Sequence, residues 1–175
     1  MLIKPHADAA GMTVTEYMIA YNSGKIENPA LDEEAMHDRS CRATGHDTSN
    51  RLIGVSAHLN SVDLNSLLYQ YESDIASLLD MCFDGQLQSE SSTAWRQKAE
   101  VRKERMNQHL YNAEDGVFHD YNFIKKAQAP YANATSLYPL YAKLATQEQA
   151  ESIIRTLLPK LECAGGVAAS SEASR

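Results

Sequence analysis

Apolar residues recur at steps of three and four between Val62 and about Cys82. Leu64, Leu68, Tyr71, Ile75, Leu78 and Cys82 form one stripe, and the spacing predicts the longest helix of the chain. Ser61 stands at its N-cap and Asp84-Gly85 closes it. The stripe, Cys82 included, is expected to be core. Upstream, Thr13 and Glu16 have the spacing of a capping box, opening a short helix that Gly24 ends. A Lys-Ile-Glu-Asn-Pro linker leads into a second helical stretch, from about Leu31 to Ala43.

Downstream of Gly85 the polar run through Ser92 reads as a loop. A helix follows from Trp95 to about Leu110, with Trp95, Ala99, Met106 and Leu110 on one side and a solvated basic surface on the others. Asp115-Gly116 signals a turn, and Val117 to Tyr121 a short extended segment. Another helix is predicted from about Thr135 to Leu144, with Pro139 near its first turn. The last opens on a second capping box, Thr146 and Gln149, carries Ile153, Ile154, Leu157, Leu158 and Leu161, and is bent or ended by Pro159. Tyr69, Tyr71, Tyr138 and Tyr141 fall at helical spacings and are expected in the core. No sustained strand alternation occurs, so the class is all-α with long connecting loops, where function concentrates.

A chain of 175 residues is long enough for one domain with a real core, and 43% hydrophobic residues exclude a disordered composition. The net charge of -7, with no cluster of positive charge, argues against nucleic acid as a partner. Three widely spaced cysteines do not make a disulfide framework. No basic-then-apolar leader opens the sequence, and no apolar run approaches the ~20 residues of a membrane span. A reducing, cytoplasmic setting is therefore expected, in which the Asn133-Ala134-Thr135 sequon carries little meaning.

The densest chemistry lies between Asp38 and Arg51, where two acids, three arginines, a histidine and a glycine share fourteen residues. Asp47 stands among Arg42 and Arg51, just after Gly45 and His46. Such a carboxylate is either a structural cap neutralised by arginine or a general acid tuned by its surroundings. Nearby arginines lower a carboxyl pKa, so an acid here needs burial or a second carboxylate to stay protonated. The planar fork of Arg42 suits it to clamp sugar hydroxyls. His37 and Cys41 share a helical face, with His46 further on, but no fourth ligand is identifiable and no metal site is assigned. His58, His109 and His119 read as packing or surface residues. Gly165-Gly166 lacks the strand and the Lys-Ser/Thr of a phosphate loop, and there is no Gly-x-Ser-x-Gly elbow.

The run His37-Asp38-Arg39, then Arg42-Ala43-Thr44-Gly45-His46-Asp47-Thr48, resembles the acid-bearing segment of fungal-type neutral trehalases, which are glycoside hydrolases. The resemblance continues through Val62-Asp63-Leu64-Asn65, Tyr71-Glu72, Asp120-Tyr121-Asn122, Leu144-Ala145-Thr146 and Leu158-Pro159-Lys160-Leu161-Glu162, and covers nearly the whole chain. It implies a portion of an (α/α)6 toroid and inverting hydrolysis of α,α-trehalose to two glucose molecules, with Asp47 as general acid. Arg42 would contact the sugar by its side chain and Gly45 by its backbone. The family's Gln-Trp-Asp signature has no match here, and the glutamate that serves as base lies further downstream in the family. Residues 1–175 are thus expected to be a central fragment of the catalytic domain, supplying the acid but not the base. The regulatory, partner-binding and calcium-binding regions, and the rest of the barrel, would lie outside it. No cofactor is expected within it. The alternative expectation is an inactive helical paralogue serving as an interaction module.

Overall fold

The computed structural model describes residues 2–46, 50–130 and 132–170, the side chain of Asn50 excepted. The chain divides into two compact units, residues 1–57 and 58–175.

The first unit holds α1 (Lys4–Ala9), α2 (Val14–Asn22) and α3 (Pro29–Thr44). The capping box that opens α2 forms as its sequence requires. The Thr13 hydroxyl accepts the Glu16 N–H, and the Glu16 carboxylate accepts the Thr13 N–H. Ala7, Tyr17 and Leu31 make a small core, with Ile3, Met12, Val14, Tyr21 and Ile26 against it. α3 begins earlier than the periodicity predicts because Asn28 caps it, its Oδ1 accepting the Leu31 N–H, and Pro29 occupies the first turn.

The second unit runs β1 (Leu59–Asn60), α4 (Val62–Phe83), β2 (Gln86–Leu87), β3 (Glu90–Ser91) and α5 (Ser92–His109). It continues through β4 (Tyr111–Asn112), β5 (Val117–Phe118), β6 (Tyr121–Asn122), β7 (Ala127–Gln128), α6 (Tyr138–Tyr141), α7 (Gln147–Thr156) and α8 (Leu158–Leu161), to β8 (Glu162–Cys163) and β9 (Gly166–Val167). The strands are two-residue ribbons in antiparallel pairs, with β6 between β1 and β7. The class is all-α. The polar run after Gly85 is not a plain loop but the β2–β3 hairpin, and α5 starts directly from it at Ser92, capped by Ser91.

The core of this unit gathers Val62, Met106, Leu110, Val117, Phe118, Leu144, Ile153, Leu157 and Leu161. α7 delivers Ile153 into it and stops at Thr156, and its C-cap residue Leu157 enters the core as well. Leu161 follows from α8, where Pro159 cannot continue the α7 hydrogen-bond ladder. The helix predicted over Thr135–Leu144 is a 3₁₀ turn (Ala134–Leu137) followed by the single turn α6. Asn133 of the sequon is buried and spends its side chain capping that turn.

The apolar stripe of α4 does not become core. Leu64, Tyr71, Leu78 and Cys82 are exposed, as is Tyr141. The buried residues are Val62, Asp63, Ser66, Glu72, Ala76 and Leu79, which from residue 72 on lie one residue, about 100°, round the helix from that stripe. Their polar members find partners on α4 and on α5. Ser66 donates to the Val62 carbonyl, and Glu72 meets an arginine of α5. Ser61 holds the N-cap position without a side-chain bond. Buried Asp120 supplies the cap instead, its Oδ1 accepting the Val62 N–H at 2.9 Å across 58 residues of sequence.

The turn joining β4 and β5 comes close to α7. Gly116 has φ +70°, and a Cβ placed on it would stand 2.0 Å from Ser152 Oγ. His119, next to Phe118, is buried, and its Nε2 lies 3.0 Å from Asp115 Oδ2.

Candidate active site

α3 ends where the candidate acid loop begins. The chain leaves the helix at Gly45 with φ +75°, a left-handed backbone that glycine adopts without steric cost. Among the described residues, nothing lies within 4 Å of where its Cβ would be. Thr44 shapes the exit. Its hydroxyl donates to the Cys41 carbonyl at 2.7 Å and accepts the His46 N–H at 3.1 Å. Asp47, with Thr48 and Ser49, lies outside the described residues. The chain is described again from Asn50, at a 3₁₀ turn (Asn50–Leu52).

The two arginines flanking Asp47 in sequence differ in setting. Arg42 is on the exposed side of α3, its guanidinium forked onto Asp38 one turn back, with Nε to Oδ2 2.9 Å and Nη2 to Oδ1 3.1 Å. Its side chain is 67% exposed, so water competes for this fork. The Arg42 guanidinium holds the Asp38 carboxyl below the usual carboxylate range. Arg51, in contrast, is only 4% exposed. The sequence offers either Arg42 or Arg51 as a neutraliser of Asp47, and Arg42 as a sugar clamp. The one signal that Arg51 is buried is its position directly before Leu52, itself buried.

The opposite side of α3 binds the returning chain. Ser40 Oγ accepts from Ser56 Oγ at 3.0 Å, and the Nδ1 of buried His37 accepts the Ala57 N–H at 3.2 Å. Cys41 Sγ is 3.9 Å from the His46 carbonyl oxygen. His37 and Cys41 do share a helical face, as their spacing requires, but a ring nitrogen of one and the sulfur of the other are engaged with backbone groups.

A second polar feature lies in the unit that starts at His58. Arg102 of α5 forks onto Glu72 of α4, with Nε to Oε2 2.9 Å and Nη2 to Oε1 2.7 Å, and its Nη1 donates to Asn65 Oδ1 at 2.9 Å. The pair lines an open groove of about 660 Å³, with Lys98, Arg105, His109 and Tyr121 around it. The basic side of α5 is therefore not wholly solvated: Arg102 ties the two helices together.

A family model described as trehalase matches residues 4–175. The chain is 42% identical over 180 residues to the cytosolic neutral trehalase of Saccharomyces cerevisiae, covering 99% of this chain and 24% of that protein. It is 42% identical over 188 residues to the cytosolic neutral trehalase of Emericella nidulans, covering 99% of this chain and 25% of that one. It thus spans about a quarter of the length of the curated relatives it matches. The solved structure of neutral trehalase Nth1 from Saccharomyces cerevisiae superimposes with a TM-score of 0.93 at 42% identity, over 99% of this chain and 33% of that one. The fold is accordingly a helical portion of an (α/α)6 toroid.

Proposed function

The chain belongs to the trehalase family, and on that premise we propose that it is a central portion of the catalytic domain of an α,α-trehalase acting in the cytoplasm. Asp47 is the general acid, protonating the glycosidic oxygen as the bond to the anomeric carbon breaks. A carboxylate outside these residues draws a proton from water on the opposite face of the sugar, about 6.5–9.5 Å from the acid, which gives inversion. Arg42 supplies hydrogen bonds to sugar hydroxyls, and the backbone at Gly45 lies against the ring.

The observation that carries this reading is the end of α3. An exposed, forked arginine and a left-handed glycine stand within five residues of the acid in sequence, in a chain 42% identical to cytosolic neutral trehalases along 99% of its length. The exposed α4 stripe is the face that meets further helices of the toroid. Calcium binding and regulatory-protein binding belong to other regions of the full enzyme, and this portion uses no cofactor. Its partner is a disaccharide, not nucleic acid or a membrane. Among the described residues no helix is long and apolar enough to cross one.

The test is a hybrid in which this segment replaces its counterpart in the Saccharomyces cerevisiae enzyme. The hybrid is expected to hydrolyse trehalose. Asp47→Asn should lower turnover by roughly 10²–10⁴-fold while trehalose still binds. A folded hybrid without activity, or an Asp47→Asn variant within a few-fold of its parent, overturns the reading.

A further inference from the structure

The side of α5 that borders the groove beside α4 is cationic along its length. Lys98, Arg102, Arg105 and His109 are spaced four, three and four apart and so form one stripe, about three turns long. The two acids of α5, Glu100 and Glu104, fall on the other flank of the helix. Three members of the stripe are cations at neutral pH, and the one acid lining the groove with them is Glu72. Both Glu72 oxygens are taken by Arg102. Among the described residues, no carboxylate pairs with Lys98 or Arg105. Lys98 lies over the Trp95 ring, 3.7 Å from its centroid, which steers the ammonium without neutralising it. The groove thus keeps an uncancelled positive charge in a chain whose net charge is -7.

We propose that this groove binds a phosphate-bearing small molecule, with the Arg105 guanidinium and the Lys98 ammonium on its phosphoryl oxygens. The planar fork of an arginine matches two such oxygens at once, and a lysine adds a point charge beside it. Buried Met106 and Leu110 also line the groove, and walls of low dielectric focus the field of the cations. At the His109 end the ring of Tyr121 stands 5.2 Å from the imidazole, and Asn60, its partner across β1 and β6, lines the groove with it. A ring and an amide there suit the organic part of the ligand. The volume of about 660 Å³ falls in the range of small-ligand sites, which favours a small anion over an acidic protein segment. Arg102 is already shared between Glu72 and Asn65 and serves to hold α5 against α4. The proposal does not depend on which residue is the catalytic acid.

The test is calorimetric titration of the trehalase hybrid with inorganic pyrophosphate, glucose 6-phosphate and ADP, and with glucose and adenosine as uncharged counterparts. At least one phosphate probe is expected to bind, and to bind better than its uncharged counterpart where it has one. The ranking of the three tells whether the phosphoryl group alone, a sugar or a base completes the ligand. Arg105→Gln should weaken that binding roughly 10–100-fold, the loss of a charge-assisted fork. Lys98→Gln should weaken it about threefold to tenfold. Lys103→Gln removes the same charge from α5 outside the groove and should leave it within about twofold of the parent. All three positions are outside the core, so the variants keep the fold. Binding of none of the phosphate probes overturns the proposal. So does an equal loss in the Arg105 and Lys103 variants, which would reduce the effect to general surface charge, and so does a glutamate-rich peptide that binds the groove more tightly than any phosphate probe. The readout is binding, not turnover, so an inactive hybrid that still binds phosphate in an Arg105-dependent way upholds this inference while overturning the trehalase reading.

Discussion

Two arginine–carboxylate forks with nearly the same bond lengths occupy opposite regimes. Arg42 and Asp38 sit one turn apart on a single helix, their side chains 67% and 41% exposed. Arg102 and Glu72 join α5 to α4 across 30 residues, with side-chain exposures of 26% and 10%. The first pair is local, solvated and worth little to stability, because water competes for both partners. The second has surrendered most of its water, so each partner depends on the other. The fork held in place by tertiary packing stabilises the fold. The solvated fork is the one at the end of α3, and the proposed role of Arg42 there asks it to exchange its carboxylate for a sugar.

The largest effect that tests this contrast is expected at Glu72. Glu72→Ala leaves Arg102 in its groove without a counter-charge and should lower unfolding free energy by about 3 kcal/mol, measured in urea. The Glu72→Leu/Arg102→Met double variant should regain most of it, because removing both charges removes the desolvation cost as well. Next comes Arg42. Arg42→Ala should change stability by less than about 0.5 kcal/mol. It should nevertheless raise the KM of the hybrid for trehalose roughly tenfold, the loss of a charge-assisted hydrogen bond. A large stability loss without a kinetic effect would make the two forks equivalent. The smallest effect is in acid. Asp38 has its carboxyl pKa lowered in the folded chain, so its contribution is present above the unfolded value of ~3.9 and is lost as pH falls through the folded one. Stability should therefore show no loss from Asp38 between neutrality and about pH 4, and Asp38→Asn should remove a small part of the decline below it.

The features legible in the sequence are those whose causes are close in the chain. Both capping boxes form where Thr13-Glu16 and Thr146-Gln149 place them, because donor and acceptor are three residues apart. The end of α3 at Gly45 was visible for the same reason. The burial of α4 was not. Periodicity identified an apolar face, but which face is covered depends on where α5 lies, and that helix is held by Arg102 meeting Glu72 and Asn65. Asp120 capping α4 from 58 residues away has no local signature at all. In the candidate site, Arg42, Gly45 and Asp47 came from the motif and the resemblance it carries. His37 heads the same run and shares a face with Cys41, but its partner is the Ala57 N–H, which no residue type advertises.

The two glycines described above evolve under different rules. At residue 45 the constraint among the described residues is the sign of the backbone angle, with none of them within 4 Å of where a side chain would start. Asparagine and aspartate visit that backbone tolerably, so a lineage can drift there and lose little fold stability. At residue 116 the angle has the same sign, but the first carbon of any side chain would overlap Ser152. A side chain at residue 116 needs α7 to give way at Ser152, whereas residue 152 can itself shrink while glycine stays at 116, so the dependence runs one way.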